Sequence, residues 1–451
     1  MNEAPTQVSL AELKRVLERC TADPPFRGRL KSEPRAAMAE YGFDWDPALV
    51  APLWDPEDPK VKPFSPVVQA YADHVASLFA LREQMRTQFE SHHPGYYRWR
   101  ERQKARVVLE LGQARADSII HAPLAFELNK GCSVGCWFCG VSAPKLSEIW
   151  PYTEANASLW RQVLTTMGEI VGPLARWGFC YWATDPLDNP DYEKFCCDYQ
   201  EILGVFPQTT TALGLRDPQR VRQLLKLSRE RGCLLNRFSV LTLKQFLAIH
   251  QEYSAEELMH VECIAQNSES DLKKANSGKA NEKADKKTRD GKTLVTDVSG
   301  TIACVSGFLF NMVEGSVRLI TPCAATEKWP LGYWVVAEGS FGDVQGLEQF
   351  VRPTLEGLVT SVTQLPQLRL AAFLDWKMTE SGAQVASAYT ILNLTSPQRG
   401  YLEFLLRSIS EGNNSAEELA LLAIYLHGVP AEQTVKFLEQ LFEMGIFDEE
   451  P

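Results

Sequence analysis

The stretch Gly131-Cys132-Ser133-Val134-Gly135-Cys136-Trp137-Phe138-Cys139 places three cysteines in a C-x3-C-x2-C pattern. Three thiolates so spaced on one loop can each hold one iron of a [4Fe–4S] cluster, which leaves the fourth iron without a protein ligand. That open corner calls for a substrate or cofactor ligand. A structural zinc knuckle would need a fourth Cys or His close by, and none follows Cys139 before Cys180. A disulfide with a spare thiol would require an oxidising compartment.

Around this loop, residues 116–349 alternate strand-like and helix-like segments. Strands are expected at Leu124–Leu128, Gly178–Ala183, Thr209–Leu215, Leu234–Val240, Met259–Ala265 and Val317–Thr321. Helical stretches fall near 153–172, 191–204, 217–231 and 242–253, the last opened by the capping box Thr242-x-x-Gln245. Six parallel strands in series predict an α/β fold, a partial (β/α)6 barrel. In such barrels the chemistry gathers at the carboxyl ends of the strands, and the cysteine loop directly follows the first one. Residues 268–293 are rich in Lys, Asp, Asn and Ser and are read as an insertion that cannot order itself.

The flanks read differently. Residues 1–66 form a helical module, with helices expected at Leu10–Cys20 and Pro25–Tyr41, followed by a stiff linker marked by Pro52, Pro56, Pro59, Pro63 and Pro66. A helical connector spans 67–115 and is broken at His92-His93-Pro94-Gly95. Its second half, Tyr96 to Arg106, interleaves aromatics with bases and reads either as a solvated helix face or as a surface for an acidic peptide. Residues 350–451 read as a helical or winged-helix domain, with a capping box at Ser415-Ala-Glu-Glu418.

The chain has 451 residues, 45% of them hydrophobic, enough for a catalytic core with accessory domains. A net charge of −11 argues against nucleic-acid partners, because phosphate neutralisation needs a basic surface. No apolar run approaches the roughly 20 residues of a membrane span, and Met1–Val8 lack a basic-then-apolar signal pattern, so a cytoplasmic location is expected. Eleven cysteines in that reducing setting point to metal or catalytic thiols.

The cysteine triplet resembles the signature of the radical SAM enzymes. That resemblance implies a [4Fe–4S] cluster held by Cys132, Cys136 and Cys139, S-adenosylmethionine (SAM) on the free iron, and an external electron donor such as flavodoxin or ferredoxin. Ala183-Thr184-Asp185-Pro186 stands where these enzymes carry a Gly-Gly-Glu-Pro-type motif. By that match Thr184 and Asp185 border the SAM amine and Phe138 supports the adenine. Thr210, Thr211, Arg237, Ser239, Gln266 and Asn267 are polar residues near strand ends, and some of them, with Arg237, Ser239 and Asn267 taken as candidates, are expected to touch the carboxylate or ribose of SAM.

A narrower resemblance covers residues 20–340. The leader-like segment Asp23–Asp44, the run Tyr181-Trp-Ala-Thr-Asp-Pro-Leu-Asp-Asn-Pro-Asp191 and the run Val317-Arg-Leu-Ile-Thr-Pro-Cys-Ala-Ala-Thr-Glu-Lys-Trp-Pro330 look like those of the radical SAM peptide epimerases of proteusin-type natural products. The partner is then a ribosomal precursor peptide, leader and core, whose L-residues become D-residues. The implied chemistry removes the Cα hydrogen and returns one from a cysteine on the opposite face. Cys323, at the expected carboxyl end of the last strand, is assigned as that donor; Cys180, Cys196, Cys197, Cys233, Cys263 and Cys304 are its rivals. Radical SAM crosslinking enzymes, which form thioether or carbon–carbon bonds, are the alternative class. They often carry extra clusters, whereas the cysteines after Cys139 show no C-x2-C grouping.

Overall fold

The computed structural model describes residues 8–43, 45–53, 65–87, 90–233, 235–270, 272, 275–282, 300–396 and 398–451. Its central strands are β1 (Ala122–Glu127), β2 (Thr210–Thr211), β3 (Asn236–Val240), β4 (Val261–Ala265), β5 (Val305–Asn311), β6 (Ser316–Pro322) and β7 (Tyr333–Ser340). Strands β2, β3 and β4 form one parallel sheet. In a second sheet, of order β1-β5-β6-β7, β1 and β5 are parallel while β6 and β7 run antiparallel. Between the two sheets, Phe179 makes a single parallel bridge to Ala125, and the residues after it bond to the β2 end: Thr210 Oγ1 to Tyr181 Oη at 2.9 Å and Ala212 N to Asp185 Oδ2 at 2.7 Å.

This differs from six parallel strands in series. The segment expected as the sixth parallel strand is β6, which lies antiparallel two places from β1. The true parallel neighbour on that side is β5, which the sequence reading did not identify. Close approach explains why a glycine sits in it: a Cβ on Gly307 would lie 2.0 Å from the Pro123 carbonyl oxygen.

Helices cover the outer face of this sheet. The chain forms α1 (Leu10–Ala22), α2 (Pro24–Ser32), α3 (Pro34–Ala39), α4 (Pro66–Thr87), α5 (Pro94–Leu111), α6 (Glu154–Val171), α7 (Tyr192–Leu203), α8 (Pro218–Glu230), α9 (Leu243–Glu252) and α10 (Val344–Glu356). Leu124 and Phe126 of β1 and Phe308 and Phe310 of β5 meet Trp160 and Leu164 of α6 and Phe195 and Tyr199 of α7 in the main core. Ala125 and Leu309, the alternate residues, pack on the inner face with Phe179 and Ile320. Burial of each such large side chain is worth about 1.5–3 kcal/mol.

Most of the aromatic and basic run of α5 is buried, with Arg98 and Glu101 left exposed. Tyr96, Trp99, Arg100, Arg102, Gln103 and Arg106 are all buried. Arg106 stacks 3.8 Å over the Trp334 ring and donates to the Pro322 carbonyl, while Arg100 donates to that of His121. The guanidiniums bolt α5 to the sheet.

The N-terminal helices close an edge. Strand β4 ends its sheet, and α1 lies along it: Lys14 Nζ donates to the Val261 carbonyl at 2.6 Å, and Glu18 Oε1 accepts from the Cys263 N–H at 2.8 Å. Backbone groups that an edge would leave unpaired are thus met by charged side chains. The expected proline linker and insertion lie largely outside the described residues, at 54–64 and at 271, 273, 274 and 283–299.

Beyond α10 stand a three-stranded antiparallel sheet, β8 (Asp375–Thr379), β9 (Gly382–Ala386) and β10 (Ile391–Leu394), and helices α11 (Arg399–Glu411), α12 (Ala416–His427) and α13 (Ala431–Glu443). They share a separate core built on Leu402, Leu405, Leu419 and Leu438. The expected boundary at 350 falls inside α10, whose Leu347, Val351 and Leu355 belong to the main core.

Candidate functional site

The cysteine loop hangs from the carboxyl end of β1 on a short neck. Asn129 and Lys130 pair antiparallel with Ile149 and Glu148, and Cys132 N donates to the Pro144 carbonyl at 2.9 Å. Gly131 makes the neck possible: its φ is +84°, and a Cβ there would lie 2.5 Å from the Lys145 carbonyl oxygen. Ser133 donates through N and Oγ to Asp188, at 2.9 and 2.6 Å, and Arg216 donates to the same carboxylate at 2.7 Å. On the far side Lys279 N donates to the Cys139 carbonyl at 3.0 Å and Lys279 Nζ to that of Ala143 at 2.6 Å.

Cys132, Cys136 and Cys139 are half-buried free thiols. Cys139 Sγ accepts a hydrogen bond from Ala143 N at 3.2 Å. Burial pushes the Cys132 thiol up and the Cys136 thiol up to about 12, and the Cys132 and Cys139 sulfurs add to the latter by repulsion. Three soft donors so gathered fit a group that brings its own positive charge, as an iron–sulfur cluster does.

Other residues singled out from the sequence are placed as follows. Thr184 accepts from Asn129 Nδ2 at 3.0 Å. Asp185 is buried, accepts from Thr211 Oγ1, Ala212 N and Leu187 N at 2.7, 2.7 and 3.0 Å, and is pushed up to about 6 by burial. Phe138 meets the Trp137 ring edge-on at 5.3 Å. Asn267 is buried against the N-terminal module, donating to the Ala22 carbonyl at 2.8 Å. Ser239 is half-buried on β3.

Two placements correct the sequence reading. Arg237 is the second residue of β3, at its amino-terminal rather than its carboxyl end; paired with Glu262 at 2.9 Å, it lines a cavity of about 610 Å³ with Gly178, Gln208 and residues of α4. Cys323 does not stand at the mouth that carries the cysteine loop. Because β6 is antiparallel, its end lies beside the start of β5, where Arg106 and Glu110 of α5 flank a buried Cys323. Burial pushes that thiol far up, so it stays protonated. Its segment still reaches the loop through the backbone: Cys323 N donates to the Gly332 carbonyl at 3.0 Å, and Gly278 N, beside Lys279, donates to that of Pro330 at 2.8 Å.

The sequence reading missed Glu127, Asn129, Asp188 and Arg216. Glu127 ends β1 with its carboxylate between Ala183 N at 2.8 Å and Asn311 Nδ2 at 3.0 Å, and burial pushes it up to about 7. Asn189 Nδ2 ties the β1 end to the loop exit, donating to the Leu128 and Trp150 carbonyls at 3.1 and 2.9 Å. An Asp three places after Asp185 was the available signal for Asp188.

Compared with known proteins, the chain is 35% identical over 459 residues to uncharacterized protein y4wI of Sinorhizobium fredii (strain NBRC 101917 / NGR234), covering 98% of this chain and 88% of that protein. The chain belongs to the y4wI family. No protein-family model matches it. Among solved structures, BtrN in complex with AdoMet and 2-DOIA aligns with 52% of this chain and 82% of its own, at a TM-score of 0.34 and 14% identity. Among the described residues of this y4wI-family chain, no helix is long and apolar enough to cross a membrane.

Proposed function

We propose that the chain is a cytoplasmic radical SAM enzyme that inverts L-residues of a ribosomally made peptide to D-residues. The observation that carries this reading is the loop of three half-buried thiols suspended from the carboxyl end of β1. A [4Fe–4S] cluster with SAM, when bound, would supply a 5′-deoxyadenosyl radical able to remove a Cα hydrogen.

The chain's own residues then have defined tasks. Cys132, Cys136 and Cys139 ligate three irons, and Asp188 with Arg216 fixes the loop through Ser133. Phe138, Thr184 and Asp185 would border SAM in this reading; Asp185 already accepts three hydrogen bonds, which hold the β2 end in place. Cys323 is kept as the hydrogen-atom donor on the family resemblance, and that role requires the substrate to reach the start of β5, where the thiol is buried beside Arg106 and Glu110, rather than the mouth. The resulting sulfur radical needs one electron and one proton, the electron from an external flavodoxin- or ferredoxin-type donor. Cys304 is the second reading, since it packs with Val141 of the loop against the inner-face cluster and lies near Tyr181 and Arg237.

Anaerobic reconstitution tests the cofactor half of this reading. The intact chain should bind about four irons and cleave SAM, and Ala at Cys132, Cys136 or Cys139 should abolish both. Full iron and cleavage in any one replacement would remove that residue from the site. Incubation with a precursor peptide in deuterated water tests the reaction. Inversion adds one deuterium per altered residue, whereas loss of two hydrogens would establish crosslinking instead. Cys323→Ala should keep SAM cleavage and lose D-residues; if D-residues persist there and vanish in Cys304→Ala, the donor is Cys304.

A further inference from the structure

We propose that Glu18, His250 and Cys263 form a separate site for one divalent metal ion of the zinc class, which pins the N-terminal helices to the edge of the parallel sheet. One ligating atom from each of the three lies within 4.8 Å of the other two. They come from three elements, α1, α9 and β4, so the cluster straddles the seam between module and sheet. His250 and Cys263 are each only 6% exposed.

The histidine points to a ligand. Its Nδ1 is bonded to the Tyr41 hydroxyl at 3.2 Å, while its Nε2 is buried without a hydrogen-bond partner. A buried polar atom left unmatched costs about 1–3 kcal/mol, so it calls for an explanation. A thiol donating to Nε2 would satisfy it, yet the structure makes no such bond. Glu18 takes both of its hydrogen bonds on Oε1, from Lys14 Nζ at 2.7 Å and Cys263 N at 2.8 Å, which leaves Oε2 for another partner.

One thiolate sulfur, one imidazole nitrogen and one carboxylate oxygen make a mixed donor set that zinc accepts in a tetrahedron. The Tyr41 hydroxyl holds the second ring nitrogen, the usual way a histidine ligand is oriented. Contraction of the three atoms by roughly 1 Å would bring them to ligand distances of roughly 2.0–2.3 Å. The fourth position belongs to water, since Glu18 also lines the cavity of about 610 Å³. Thiolate and carboxylate neutralise the ion, and Glu262 offsets part of the positive charge that Lys14 and Arg15 bring to the seam. Binding releases the Cys263 proton to solvent.

Cobalt(II) is the probe, added to full-length chain in which Cys132, Cys136 and Cys139 are replaced by Ala, so that the loop contributes no thiolate. The expected result is a sulfur-to-cobalt charge-transfer absorption that saturates at about one equivalent and is displaced by zinc, the behaviour of a tetrahedral thiolate site. It should vanish in Cys263→Ser and His250→Gln, and zinc should raise the thermal midpoint of the parent but of neither variant. Absence of the band, or its survival in Cys263→Ser, overturns the proposal. Should those variants not fold, zinc X-ray absorption of the parent decides: a shell with one sulfur supports the site, and a shell of nitrogen and oxygen alone rejects it.

Discussion

Glu127 shows what one residue's surroundings do to its chemistry. The folded chain keeps a proton on it between pH 4.5 and about 7 that the unfolded chain has already released. Stability is therefore lost as pH rises through that window, with a slope of at most about 1.4 kcal/mol per unit from this group. Glu127→Gln should flatten the slope, measured as the urea midpoint across the window; an unchanged slope would assign it to another group such as Asp185. None of this was legible in the sequence. The partners of Glu127 stand 56 and 184 positions away, and only the pairing of β1 with β5 brings Asn311 to it. The cysteine triplet, by contrast, is local, and its spacing carried its meaning without the fold.

Elements divide along the same line. Most helices with an apolar stripe and a cap were read to within a residue or two: the stretch expected near 153–172 is Glu154–Val171, capped by Thr153, and Ser415 caps α12 as its box foretold, whereas the single helix expected over Pro25–Tyr41 is α2 and α3, parted at Glu33 before Pro34. Strand β5 was missed because Val305-Ser-Gly-Phe-Leu-Phe-Asn311 is buried on both faces and shows no alternation, and its glycine reads as a break. That glycine is where β1 and β5 are most exposed to change. Gly307→Ala should cost about 3 kcal/mol, the upper range for overpacking, because the new methyl would meet the Pro123 carbonyl oxygen. Thermal unfolding measures this, and a loss below about 1 kcal/mol, small for a forced core change, would show that the two strands can part.

Across the whole molecule, among the described residues, the main core and the C-terminal core are joined by buried charges. Arg102 of α5 holds Glu449 through two hydrogen bonds of 2.6 and 2.7 Å, donates to the Val359 carbonyl at 2.8 Å and lies 3.9 Å over the Phe442 ring. Arg102→Ala would leave Glu449 unpaired at the junction, at a cost of roughly 3–5 kcal/mol. Calorimetry should then show the C-terminal unit melting before the main core, whereas a single unshifted transition would mean that the junction does not depend on this pair. At the other end of the chain, the seam of α1 on β4 sets an order in time. Lys14 and its acceptor Val261 are 247 positions apart. At synthesis rates of roughly 5–20 residues per second, the first helices leave the ribosome roughly 10–50 seconds before the strand they will cover. The edge of β4 thus emerges with its cover already made, and a nascent chain is spared the interval in which a bare strand could pair with its neighbour on the same message.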